Sequence, residues 1–127
     1  MPSIFVLDDD PTILALLGEL LRDEGHQVTS SALWSEVAMP LVRRDVAAGD
    51  EPTLLICDLH MPGINGVDFA RIVRRHRPSI RIILYTSSSP RSFDLPPGLV
   101  DEVVFKQGGP DLLLAAVRRM VATTPRS

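Results

Sequence analysis

Thr53-Leu-Leu-Ile-Cys-Asp58-Leu-His-Met-Pro-Gly-Ile-Asn-Gly66 decides the fold, because an apolar run stops at a carboxylate and gives way to a Pro, Gly, Asn and Gly turn cluster. A short uninterrupted apolar run is the pattern of a strand buried on both faces, as in parallel sheets. In open α/β sheets ligands bind in the crevice beyond the carboxyl ends of the strands, so Asp58 is the first candidate for chemistry. A second run, Ile4-Phe-Val-Leu7, closes in Asp8-Asp9-Asp10 and is followed at once by Pro11. Two strands delivering acids to one edge make a site for a hard cation.

Working outward, Asp10-Pro11 supplies an N-cap and a first helical residue. Ile13, Leu16, Leu17, Leu20 and Leu21 then recur at the spacing of one buried helical face, which Gly25 ends. Residues 26–31 are a weak edge strand with Val28 as its one strong apolar residue. A helix is expected over 33–48 with Trp34, Val37 and Leu41 inward, Val42 as a further candidate for that face, and a kink or split at Pro40. After the strand over 53–58, a helix over 66–77 buries Phe69, Ile72 and Val73 and stops before Pro78. Residues 80–85 are a fourth strand running into the hydroxyl-rich Thr86-Ser-Ser-Ser-Pro90, and 103–105 a fifth running into Lys106. Gly109-Pro110-Asp111 opens a last helix with Leu113, Ala116, Val117 and Met120 on one face.

Strands alternating with helices call for an α/β fold with a doubly wound parallel sheet and right-handed crossovers. One domain is expected over 1–122, with a polar tail over 123–127. A chain of 127 residues suits one domain, and 45% hydrophobic with 23% charged residues rules against a mainly disordered one. The formal net charge of −3 gives no general pull toward nucleic acid. One cysteine, Cys57, allows no internal disulfide, and no apolar run is long enough for a membrane span, so a cytoplasmic setting is expected.

Leu7-Asp-Asp-Asp-Pro11, Cys57-Asp58-Leu-His-Met-Pro-Gly-Ile-Asn-Gly66, Tyr85-Thr86-Ser87 and Phe105-Lys106, in this order, resemble the receiver domain of bacterial two-component response regulators. The resemblance covers nearly the whole chain. It implies a flavodoxin-like five-stranded sheet in the order 2-1-3-4-5. It also implies that Asp58 is a phosphoacceptor, that Asp8, Asp9, Asp58 and the backbone carbonyl of His60 hold Mg²⁺, and that Thr86 and Lys106 grip the phosphoryl group. The partners implied are a histidine kinase or phosphotransfer protein and a downstream protein whose affinity switches. Neither nucleic acid nor membrane is expected to bind directly.

Elementary chemistry supports these roles. A phosphoryl donor and a carboxylate are both anionic, so attack needs a cation to neutralise charge and hold the oxygens. Lys106 adds a point charge, and Thr86 offers a hydroxyl hydrogen bond that exists only once a phosphoryl group is present. Asp10 is read as a helix cap, Cys57 as core, and Arg71, Arg74, Arg75 and Arg77 as complements of a helix dipole. A dehalogenase-type phosphatase would carry a second Asp two residues after the nucleophile, where this chain has His60.

Two positions leave the family pattern. Gln107 stands where receivers carry a proline after the lysine, so a trans peptide is expected, and Val103 stands where a switch aromatic is usual. Pro90, Pro96, Pro97 and Gly98 leave room for only a short or broken fourth helix. Residues 87–101 are therefore expected to be the most mobile stretch and the one changed most by phosphorylation, with Phe93 and Leu95 as partner contacts. The alternative reading is a receiver-like adaptor that works without phosphorylation.

Overall fold

The computed structural model describes residues 3–42, 52–87 and 94–122. Its elements run β1 (Ser3–Leu7), α1 (Pro11–Asp23), β2 (Gln27–Ser31), α2 (Trp34–Val42), β3 (Leu54–Cys57), β4 (His60–Met61), β5 (Ile64–Asn65), α3 (Gly66–His76), β6 (Arg81–Thr86), β7 (Glu102–Phe105) and α4 (Pro110–Ala122). Five strands form one parallel sheet in the order β2-β1-β3-β6-β7. This is the expected flavodoxin-like order, once the small antiparallel hairpin of β4 and β5 is set aside.

The two faces of the sheet follow from alternation along its strands. Phe5, Leu7, Leu55, Cys57, Ile82 and Leu84 pack with Val37 and Leu41 of α2 and with Phe69, Ala70 and Val73 of α3. Ile4, Val6, Leu54, Ile56, Ile83, Tyr85 and Val104 pack on the other face with Leu17 and Leu21 of α1 and with Leu113, Ala116 and Val117 of α4. Every residue of β1 and β3 is buried, whereas β2 is largely exposed, as befits an edge strand.

Three apolar residues expected inside are half out. Leu16 and Ile72 are 38% and 36% exposed because each stands at the margin of its helix's buried stripe. Leu16, for example, is turned roughly 100° from Leu17. Trp34, 36% exposed, lies across the hairpin, and a Cβ built on Gly63 would stand 3.1 Å from its Nε1. With φ at +85°, Gly63 is held to glycine by its backbone as well.

Helix α2 continues past Pro40 to Val42, and its expected extension to residue 48 lies outside the described residues. Among the described residues no helix joins β6 to β7. The last part of that crossing is tied to α3 by Arg74, whose guanidinium donates to the carbonyl of Leu99 at 3.0 Å, to those of Pro78 and Ile80, and to the Asp101 carboxylate at 3.3 Å. Asp101 in turn accepts from the backbone N–H of Ile82 at 2.7 Å. Leu95, expected to face a partner, packs partly buried on the core, and Phe93 lies outside the described residues. Arg74 thus serves the fold, as does Arg77 just past the end of α3, which donates to the Leu41 carbonyl at 2.8 Å, while Arg71 pairs with Asp68 at 3.0 Å on the exposed face of the helix.

Asp10 caps α1 as expected, accepting from the Thr12 N–H at 2.9 Å, while its own backbone N–H donates to Asp8 Oδ1. Asp10→Ala deletes the cap and leaves that backbone bond in place. Chemical denaturation should show a loss of about 0.5 to 2 kcal/mol, with Mg²⁺ binding retained.

Candidate functional site

Strand ends β1, β3, β6 and β7 bring Asp8, Asp58, Thr86 and Lys106 to one edge, because the parallel register aligns Leu7 with Cys57, Cys57 with Leu84, and Thr86 with Phe105. The backbone N–H of Asp58 donates to the Leu7 carbonyl at 3.0 Å, which locks the two acidic strand ends side by side. Asp8, Asp58 and Thr86 are buried, while Asp9 is exposed. Each of Asp8, Asp9 and Asp58 offers a carboxylate oxygen within 4.8 Å of the others. An all-oxygen donor set with an exposed member fits a hard divalent cation that keeps part of its water shell, as Mg²⁺ does.

Lys106 opens a one-turn 3-10 helix directly after β7. Its Nζ stands 2.8 Å from Asp8 Oδ2 and 3.2 Å from Asp58 Oδ2. Burial works against the ammonium charge, but the hydrogen bonds and attraction of Asp8 and Asp58 together outweigh it and hold the pKa above the usual lysine value. At Asp8 the balance falls the other way: burial raises the carboxyl pKa, and the help of Lys106 and of the Asp10 N–H offsets only part of that.

The loop after β3 is set by backbone contacts. Asp58 Oδ1 accepts from the Leu59 N–H at 2.7 Å, and the Gly66 N–H donates to the Leu59 carbonyl at 2.7 Å. A Cβ at Gly66 would fall inside contact distance of the Asp58 carbonyl oxygen and 2.9 Å from Leu59 Cα. Glycine is thus required where the hairpin folds back under the acid. The side chain of Asn65 caps α3 by accepting from the Val67 N–H at 2.7 Å.

All the sequence candidates are described residues. Asp8, Asp9, Asp58 and Lys106 are brought together, Thr86 ends the neighbouring strand, and the His60 side chain is exposed on the hairpin. Cys57 is fully buried, its thiol pushed far up by burial and by the neighbouring acids, as a core residue's should be. The described peptide bonds, including the one after Lys106, are trans. Gln107 Nε2 donates to the Ser87 carbonyl at 2.7 Å, a link across the edge that the sequence reading missed, because only the pairing of β6 with β7 brings the two residues close.

A doubly wound parallel sheet that gathers three acids, a hydroxyl and a lysine at its carboxyl edge defines an aspartate-pocket domain of the flavodoxin-like class. Residues 4–118 match the model of the response regulator receiver domain, and the chain belongs to that family. It is 33% identical over 118 residues to the DNA-binding response regulator MtrA of Mycolicibacterium smegmatis, covering 91% of this chain and 48% of that protein. The chain therefore spans about half the length of the curated relatives it matches. The response regulator TrrA of Thermotoga maritima, solved in complex with Mg²⁺ and BeF, superposes with a TM-score of 0.76 at 32% identity, covering 94% of this chain and 99% of that one. TrrA in complex with the histidine kinase ThkA gives a TM-score of 0.77 at 31% identity, covering 94% and 98%.

A raised Asp8 pKa has a sign in stability. Between the ordinary value of 3.8 and the raised folded value, the folded state holds more protons than the unfolded one, so stability falls as pH rises through that window. Above it, the buried charge is a standing cost. Asp8→Asn keeps an acceptor for the Asp10 N–H and should raise the Tm at neutral pH without divalent cation. The difference should shrink as the pH approaches 3.8.

Proposed function

We propose that this receiver domain accepts a phosphoryl group on Asp58 from the phosphohistidine of a histidine kinase or phosphotransfer protein, and thereby changes its affinity for a protein partner. The observation that carries this reading is one ammonium shared between two acids, Lys106 on Asp8 and Asp58, beside a three-carboxylate cluster. Asp58 Oδ1 is oriented by the Leu59 N–H, so Oδ2 is the oxygen presented to Lys106 and to an incoming phosphorus atom. In the transfer a carboxylate oxygen of Asp58 forms the new bond to phosphorus. The phosphorus–nitrogen bond of the donor breaks, its electron pair returns to the imidazole, and an acyl phosphate is left on the domain. Mg²⁺, held by Asp8, Asp9, Asp58 and the His60 carbonyl, would supply the charge neutralisation that lets two anions meet.

In this reading Lys106, which follows β7 and faces Asp58, binds a phosphoryl oxygen, and Thr86 at the end of β6 donates its hydroxyl to another. The acyl phosphate is the whole chemical outcome, so the domain works as a switch rather than a turnover enzyme. The net charge of −3 and the internal use of Arg74 and Arg77 favour a protein over nucleic acid as the partner of this domain. Among the described residues no helix is long and apolar enough to cross a membrane.

Intact-mass analysis after incubation with a phosphorylated kinase and Mg²⁺ should show one added phosphoryl group on the wild type and none on Asp58→Asn or when Mg²⁺ is chelated. Asp9→Ala should weaken Mg²⁺ binding while preserving the fold. A wild type left unmodified by its own kinase, yet still bound tightly to its partner without Mg²⁺, would mark a phosphorylation-independent adaptor.

A further inference from the structure

Lys106 has a neighbour besides its two acids. Its Nζ lies 5.6 Å from the centroid of the Tyr85 ring. That ring is 3% exposed and is fixed in the core beside Ile83 and Val104, on the strand residue just before Thr86. The aromatic face attracts a cation, and more strongly when both are shielded from water. The three neighbours of the ammonium differ in one respect that matters. Asp8 and Asp58 are oxygen donors for which a divalent cation competes, whereas an aromatic face is no ligand for a hard cation.

We propose that Tyr85 is a positioning residue for phosphoryl transfer, its ring holding the Lys106 ammonium beside Asp58 when Mg²⁺ takes over Asp8. The proposal rests on the reading of Asp58 as the acceptor. With Asp8 as its main partner the lysine would lose its nearest contact, at 2.8 Å, on metal binding. The ring beneath it limits where the freed side chain can go and leaves Asp58, at 3.2 Å, as its remaining acid. The same strand then supplies both the platform for the lysine and, one residue later, the Thr86 hydroxyl, so both groups proposed to hold the phosphoryl oxygens are aligned by β6.

Beryllium fluoride with saturating Mg²⁺ serves as the phosphoryl probe, titrated by NMR against the wild type, Tyr85→Phe and Tyr85→Leu. The Phe variant keeps the ring and should bind within about twofold of the wild type, while the Leu variant fills the core without a π face and should bind roughly tenfold more weakly. Mg²⁺ affinity measured without the probe should not fall in either. A structural role alone would lower the Tm of Tyr85→Leu and leave its beryllofluoride affinity, measured far below that Tm, unchanged; that result overturns the proposal. So does a folded Phe variant as weak as the Leu variant, because the hydroxyl would then be at work. The wild type supplies a readout that needs no variant: the ring-current shift of the Lys106 ε-methylene should persist in the Mg²⁺ and beryllofluoride complex, and its disappearance there overturns the proposal. A wild type that takes up no beryllofluoride overturns the acceptor reading itself and the proposal with it.

Discussion

Carboxylates gathered at the half-dry edge of a sheet repel one another, and the fold around them depends on a cation being present to hold them. Two like charges about 4 Å apart cost about 4 kcal/mol at an effective dielectric of about 20. In this domain the Lys106 ammonium fills that role, shared between Asp8 and Asp58. The compensation is incomplete, since burial, with a smaller push from Asp58, still holds the Asp8 pKa above its ordinary value. The edge is therefore kept in a state that an incoming divalent cation can improve. An ion bound there would recover the stability given up at Asp8, which is the usual trade at a functional site.

Much of this was legible in the chain because parallel strands buried on both faces write themselves as unbroken apolar runs. The runs ending at Leu7, Cys57, Tyr85 and Phe105 are followed directly by the acids, the threonine and the lysine, so the pattern alone puts these groups at one edge. What the pattern hid were contacts made by backbone or across long separations. Gly66 reads as a turn residue, yet its lack of a Cβ is what lets the hairpin pass beneath Asp58. Arg74 reads as a helix-end charge, yet its donors are spent on carbonyls 4 to 25 residues away. Periodicity also overstated burial at Leu16, Trp34 and Ile72, since an apolar stripe has margins that face water.

The segment leading into β7 shows how such contacts substitute for secondary structure. Its described residues, 94–101, form no helix around Pro96 and Pro97, and a segment without a helix must find partners for its carbonyls elsewhere. Arg74 supplies donors to Leu99, and Asp101 bonds by side chain and backbone alike to Ile82. The end of the crossing is thereby fastened at both α3 and β6.

These fastenings, taken with the glycine under the acid, form a closed circuit. The Asp58 carbonyl rests on Gly66, the first residue of α3; α3 carries Arg74; Arg74 grips Asp101; Asp101 leads into β7; and β7 is followed at once by the lysine whose ammonium returns to Asp58. A linkage with no free end has few independent motions, so a change in the angle of one member is shared among the rest. Helix α3 is in this sense part of the frame that sets how far the lysine must reach.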